Sequence, residues 1–177
     1  TVETVDPGGV VKDAIPKERI VGCVVYPATE LVSPGKVVHI EGDRFPIGEL
    51  DGSVSERATK VSECFTRAGF KAPVLADIRA EMWLKLWGNL TFNPISALGR
   101  AHYARMVGDA PTVVMMRDVI AECVLVARAD GIVLPEVDHL LQSALALGHA
   151  MAQATSSTAQ DLAAGRPTEI ESLNGYV

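Results

Sequence analysis

Lys85, Asn89 and Asn93 stand at i, i+4 and i+8 in the run Trp83-Leu-Lys-Leu-Trp-Gly-Asn-Leu-Thr-Phe-Asn-Pro-Ile-Ser96. In a helix, residues four apart share one face, so an ammonium and two carboxamides form a single polar stripe. From Met82 to Gly99 Lys85 is the one formally charged residue, and Trp, Leu, Phe and Ile surround it. A helix that is apolar nearly all round is a buried helix. Burying a charge without a partner is expensive, so this lysine either neutralises or faces a wet cleft. In a cleft, backed by two amides, it can protonate or hold an oxyanion. The plainer alternative is a lysine that snorkels to water beside two satisfied structural amides. Three polar groups in register within an apolar segment favour the site.

A second polar constellation lies further on, Thr155-Ser-Ser-Thr-Ala-Gln-Asp161 and Gly165-Arg-Pro-Thr-Glu-Ile-Glu171. Local structure accounts for much of it. Ser157 with Gln160, and Thr168 with Glu171, fit capping boxes, and Gly165 fits a helix C-cap. Glu169 is then an acid in a first helical turn, favoured by the macrodipole. Local structure has the larger share, yet two adjacent helix starts rich in hydroxyls also suit a carboxylate ligand. Spacing alone does not choose between these.

The elements that carry both groups follow from periodicity. Arg19–Pro27 reads as a buried β-branched strand ended by proline. Lys36–Glu41 and Phe45–Leu50, separated by Gly42-Asp43, suggest an antiparallel hairpin. Ser53–Ala68 has helical spacing, with Ser53-Val-Ser-Glu56 resembling a capping box and Gly69 as the stop signal. Lys71–Ala76 is a last short strand, and Asp77 caps a helix from about Ile78 to Leu98 that Pro94 should kink or loosen. Beyond it lie helices near Ala110–Val133 and Glu136–Thr155, a short one after Ser157 and another starting near Thr168. The expectation is an α/β part over residues 1–76 and an all-α part over 77–177.

Composition narrows the function. With 48% apolar residues the 177-residue chain folds around a core. A net charge of −6 without a Lys/Arg cluster argues against nucleic acid, and no run is long enough to suggest a membrane span. Cys23, Cys64 and Cys123 read as reduced thiols of a cytoplasmic protein, and neither they nor the four histidines have metal-ligand spacing, so no metal is expected. The opening Thr1-Val-Glu-Thr and the closing Ser172-Leu-Asn-Gly-Tyr-Val177 read like the interior of a longer chain.

The string Lys85-Leu-Trp-Gly-Asn89-Leu-Thr-Phe-Asn93-Pro-Ile-Ser-Ala-Leu resembles the catalytic helix of the ketopantoate reductases, or 2-dehydropantoate 2-reductases. Ser156-Ser-Thr-Ala-Gln-Asp161 and Gly165-Arg-Pro-Thr-Glu169-Ile-Glu-Ser-Leu-Asn-Gly175 resemble the second signature of that family, with Gly22-Cys-Val-Val-Tyr-Pro27 upstream. The resemblance covers essentially the whole chain. It implies the end of a Rossmann-like NADP-binding domain, followed by a helical substrate-binding and dimerisation domain of the 6-phosphogluconate dehydrogenase C-terminal type. It implies NADPH-dependent reduction of ketopantoate to pantoate in coenzyme A biosynthesis, with a small 2-keto acid as substrate and a homodimer as assembly. Lys85 matches the catalytic proton donor, and Asn89 and Asn93 match amides that fix the substrate and the lysine. Ser157 matches a serine that binds the substrate's carboxylate end, and Glu169 matches an active-site glutamate near cofactor and substrate.

The chain departs from the family pattern in three places. It contains no G-x-G-x-x-G phosphate-binding turn. Ala154 stands where some members carry a substrate-binding Asn, and another Asn has no match around Tyr103. A related reductase of another 2-keto or hydroxy acid, or a catalytically silent helical dimerisation module, are the alternative readings.

Overall fold

The computed structural model describes residues 2–177. Its strands all precede residue 49 among those residues, and helices follow, in the order expected from the sequence. Two compact units result, Ala14–Met82 and the remainder.

In the unit Ala14–Met82, β1 (Gly22–Cys23) pairs antiparallel with β4 (Ile47–Gly48), and β2 (Ala28–Ser33) pairs antiparallel with β3 (Lys36–Glu41). This corrects the hairpin expected between Lys36–Glu41 and Phe45–Leu50. Pro34-Gly35, with Gly35 at φ +76°, makes the reversal, so β3 folds back on the segment before it. The run around β1 is not buried throughout either. Gly22 and Val24 are buried while Cys23 and Val25 are exposed, the alternation of a strand with one wet face. The segment expected as a last strand forms only isolated parallel bridges, Arg44 with Lys71 and Ile47 with Val74. Pro73 within it has no N–H to extend a ladder.

After a short N-terminal helix α1 (Val10–Ala14), helix α2 (Glu56–Arg67) closes the unit Ala14–Met82. Its cap is Ser55, which accepts from the Ala58 amide at 3.1 Å, two residues later than the capping box expected at Ser53. The Ser53 hydroxyl instead donates to Asp51. Ile47, Ala58 and Ala72 are buried at the centre, with Val21, Phe45, Phe65 and Val74 packed around them. The Phe45 ring centroid lies 5.2 Å from that of Phe65 and 5.0 Å from that of Phe70, spacings at which aromatic pairs attract beyond their buried area. Glu49 is buried at the rim of this core. The Arg57 guanidinium at 2.6 Å and the Ser55 hydroxyl hold its carboxyl down at about 2.

Helix α3 (Ile78–Gly99) begins at Asp77, whose carboxylate accepts from the Ala80 amide at 2.9 Å. Its first turn, to Met82, belongs to the unit just described and the rest to the helical unit.

The helical unit contains α4 (Tyr103–Val107), α5 (Ala110–Ala129), α6 (Val137–Ala150) and α7 (Ser157–Ala163). A single π-helical turn, Glu171–Gly175, stands where a helix was expected from Thr168. Helix α5 starts where Asp109 accepts from the Thr112 amide, and it buries Met116, Ile120, Cys123, Val124 and Ala127 as one stripe. Helix α6 buries Leu140, Ala144 and Gly148, again four apart. A Cβ at Gly148 would stand 2.3 Å from a Val107 methyl, so this glycine lets α4 and α6 approach more closely than alanine would allow. Among the described residues no helix is long and apolar enough to cross a membrane.

Candidate functional site

Helix α3 carries Lys85, Asn89 and Asn93 at successive four-residue steps. Lys85 and Asn89 are half-buried, and Asn93 is buried with 5% of its surface exposed. Burial along the helix is uneven. Leu90, Phe92, Ile95 and Ala97 are buried, whereas Trp83, Leu84 and Leu86 are half-exposed. The helix expected to be buried throughout is therefore buried mainly in its C-terminal half. The contacts that the helical unit makes with it explain why, because Tyr103, Ser156 and Asn174 all meet it from Leu90 onward. The Phe92 and Tyr103 rings pack with centroids 4.5 Å apart, and burial pushes the Tyr103 phenol up.

Ser156 is the central link between the two polar constellations. It is buried, with 2% of its surface exposed, and it caps α7 by accepting from the Ala159 amide at 3.1 Å. Its hydroxyl lies 3.4 Å from the Asn93 carbonyl, to which it donates, and its own amide donates to the Ser96 hydroxyl at 3.3 Å. Ser96 in turn donates to the Ala101 carbonyl at 2.9 Å. Buried hydroxyls require partners, and here both find them in backbone groups, which fixes α7 against the end of α3. The cap is thus Ser156, not Ser157 as the Ser-x-x-Gln pattern suggested. Ser157 opens the first turn of α7 and is exposed, one residue from a cap bonded to Asn93.

Glu169 is also exposed. Its backbone carbonyl accepts from the Ser172 and Leu173 amides at 3.0 and 3.1 Å, an ordinary helical turn that leads into the π-helical one. The turn has no side-chain cap, so the capping box expected at Thr168 does not form. What the turn supplies is Asn174. Its side-chain amide donates to the Leu90 carbonyl at 3.1 Å, across 84 positions of sequence. Leu90 lies between Asn89 and Asn93, and its carbonyl is the one that Pro94, lacking an N–H, leaves without a helical donor. The structure therefore joins both signatures to α3, through Ser156 at Asn93 and Asn174 at Leu90. The carboxyl of Glu169 itself is not among these links.

Sequence reasoning overlooked Ser156 and Asn174. For Asn174 a signal existed. A proline inside a buried helix asks where the freed carbonyl finds its hydrogen bond. Ala154 and the region around Tyr103, two of the three departures from the family pattern, also meet, since the Tyr103 amide donates to the Ala154 carbonyl at 3.0 Å.

Comparison with known proteins agrees with this architecture. The family model described as ketopantoate reductase PanE/ApbA C terminal matches residues 77–177. A 2-dehydropantoate 2-reductase of Mesorhizobium japonicum is 43% identical over 173 residues, which are 97% of this chain and 52% of that protein. Among solved structures, a PanE/ApbA family ketopantoate reductase from Ralstonia eutropha JMP134 superposes with a TM-score of 0.77 at 34% identity. The match covers 88% of this chain and 50% of that one. A 2-dehydropantoate 2-reductase from Geobacter metallireducens GS-15 gives 0.81 at 26% identity, covering 90% and 53%. The chain spans about half the length of the relatives it matches. With the family match covering α3 and everything after it, the chain belongs to the ketopantoate reductase family.

Proposed function

We propose that the full-length protein carrying this chain reduces a 2-keto acid, 2-dehydropantoate in the first instance, to the 2-hydroxy acid. The observation that carries the reading is the Lys85–Asn89–Asn93 stripe on α3, braced by hydrogen bonds from both halves of the second polar constellation. When a ketone carbon accepts hydride, its oxygen gains negative charge. The Lys85 ammonium stabilises that charge and delivers the proton that completes the hydroxyl. Asn89 and Asn93 orient the substrate and the lysine, Ser157 binds the carboxylate end, and Glu169 sits by substrate and cofactor. NADPH is the hydride source that the family resemblance implies. The 177 residues hold no G-x-G-x-x-G turn, so they do not fit its pyrophosphate. In this proposal residues 1–76 form the end of the cofactor domain, and residues 77–177 form the substrate and dimerisation domain of a cytoplasmic homodimer.

A second reading, reduction of a different 2-keto acid, is favoured by one observation. Ala154 stands where some members carry a substrate-binding asparagine, and its carbonyl accepts from the amide of Tyr103, whose ring packs against Phe92. A substrate with an apolar end suits that surface better than one bearing a hydroxyl.

A double-mutant cycle in the full-length enzyme tests whether Lys85 and Glu169 serve one site. If both act on the same bound substrate, the losses from Lys85→Ala and Glu169→Ala are not additive, and kcat/KM gives a coupling of roughly 0.5–3 kcal/mol. Additive losses would place Glu169 outside the site.

A further inference from the structure

The proline in the catalytic helix has a dedicated partner. Pro94 removes one hydrogen bond from α3 and disfavours helical geometry at the residue before it, Asn93. A helix so interrupted can bend between Asn89 and Asn93, which would turn Lys85 relative to the amides that share its face. The Asn174 amide supplies the missing donor. Its orientation is fixed by chemistry, because a carbonyl only accepts and the NH2 end must therefore face Leu90. The Oδ1 end points the other way, is buried, and has no hydrogen-bond partner among the described residues. A buried amide that served only local packing would be expected to engage both ends. Here the end that is engaged is the one facing the break. The turn that carries Asn174 is held from its other side, where the Ser172 and Thr4 hydroxyls lie 2.7 Å apart. Because the Glu169 carbonyl accepts from the Ser172 and Leu173 amides of that turn, the contact also tethers the Glu169 segment to α3.

We propose that Asn174 is a positioning residue that splints the catalytic helix at the Pro94 break and thereby sets the rate of the Lys85-dependent step. The proposal rests on the reading of Lys85 as proton donor. It is tested in the full-length enzyme with Asn174→Ala, Asn174→Asp, Pro94→Ala and the Pro94→Ala/Asn174→Ala pair. Misplacing a catalytic group by a fraction of an ångström is expected to lower kcat roughly 10-fold in Asn174→Ala, with the KM for the keto acid moving much less. Asn174→Asp keeps the size but loses the donor, so it should fare no better. Pro94→Ala restores a backbone donor to Leu90 and should return most of the lost kcat to the Asn174→Ala background.

Either of two kinetic results would overturn the proposal. One is an unchanged kcat in Asn174→Ala despite a lower Tm, which would make the contact merely structural. The other is a loss of the same size with or without Pro94. If Asn174→Ala does not fold, the paired variant should, and a pair that is equally unfolded also overturns it. A wild type without keto-acid turnover would refute the reading of Lys85 instead. Thermal shifts then decide the splint. A Tm loss of about 2–8 °C that Pro94→Ala removes upholds it, and one that persists rejects it.

Discussion

Replacing Lys85 with alanine in the full-length enzyme is expected to lower kcat by roughly two to four powers of ten, the usual share of a general acid that also stabilises charge. The substitution leaves the developing alkoxide with neither a proton source nor a counter-charge, while hydride donor and ketone can still meet. Asn89→Ala should cost less, because an amide orients without supplying the proton. Glu169→Ala should be costly through lost orientation of substrate or lysine. The ordering carries the information. Steady-state kinetics in which Lys85→Ala keeps a near-normal kcat would remove it as the acid and return it to the role of a lysine reaching for water from a half-buried helix.

The 177-residue chain by itself is expected to bind no NADPH and to turn over no keto acid. Dinucleotide binding in this class of fold depends on a glycine-rich turn whose amides and helix N-terminus cradle the pyrophosphate. No such turn occurs in these residues. Titrating the purified chain with NADPH while following the fluorescence of Trp83 and Trp87 on α3 should give no saturable change. Micromolar binding would mean that the cofactor's main contacts lie within these residues after all.

Much of the scaffold was legible because it is local. The bounds of α3 follow from Asp77 as cap and from the apolar spacing beyond it, and Gly69, at φ +93°, ends α2 where a glycine stop was expected. What failed was the choice among adjacent equivalents. Ser53 and Ser55, or Ser156 and Ser157, offer the same hydroxyl to a helix start, and pattern alone cannot rank them. Tertiary contacts decide, through Glu49 for Ser55 and through Asn93 and Ser96 for Ser156. The hairpin was missed for a related reason. Ala28–Ser33 is polar enough to pass for a loop, and its pairing with β3 is set by the turn at Pro34-Gly35. The stripe on α3 could be read from spacing. Its brace could not, because the donor to the Leu90 carbonyl sits 84 residues away.

The most direct measurement is the specificity profile of the full-length enzyme across a panel of 2-keto acids, with NADPH and NADH as alternative reductants. Turnover of 2-keto acids is expected, fastest with 2-dehydropantoate and NADPH, or with an apolar-ended 2-keto acid if the Ala154 position sets the preference. Turnover of none of them would contradict the proposed function.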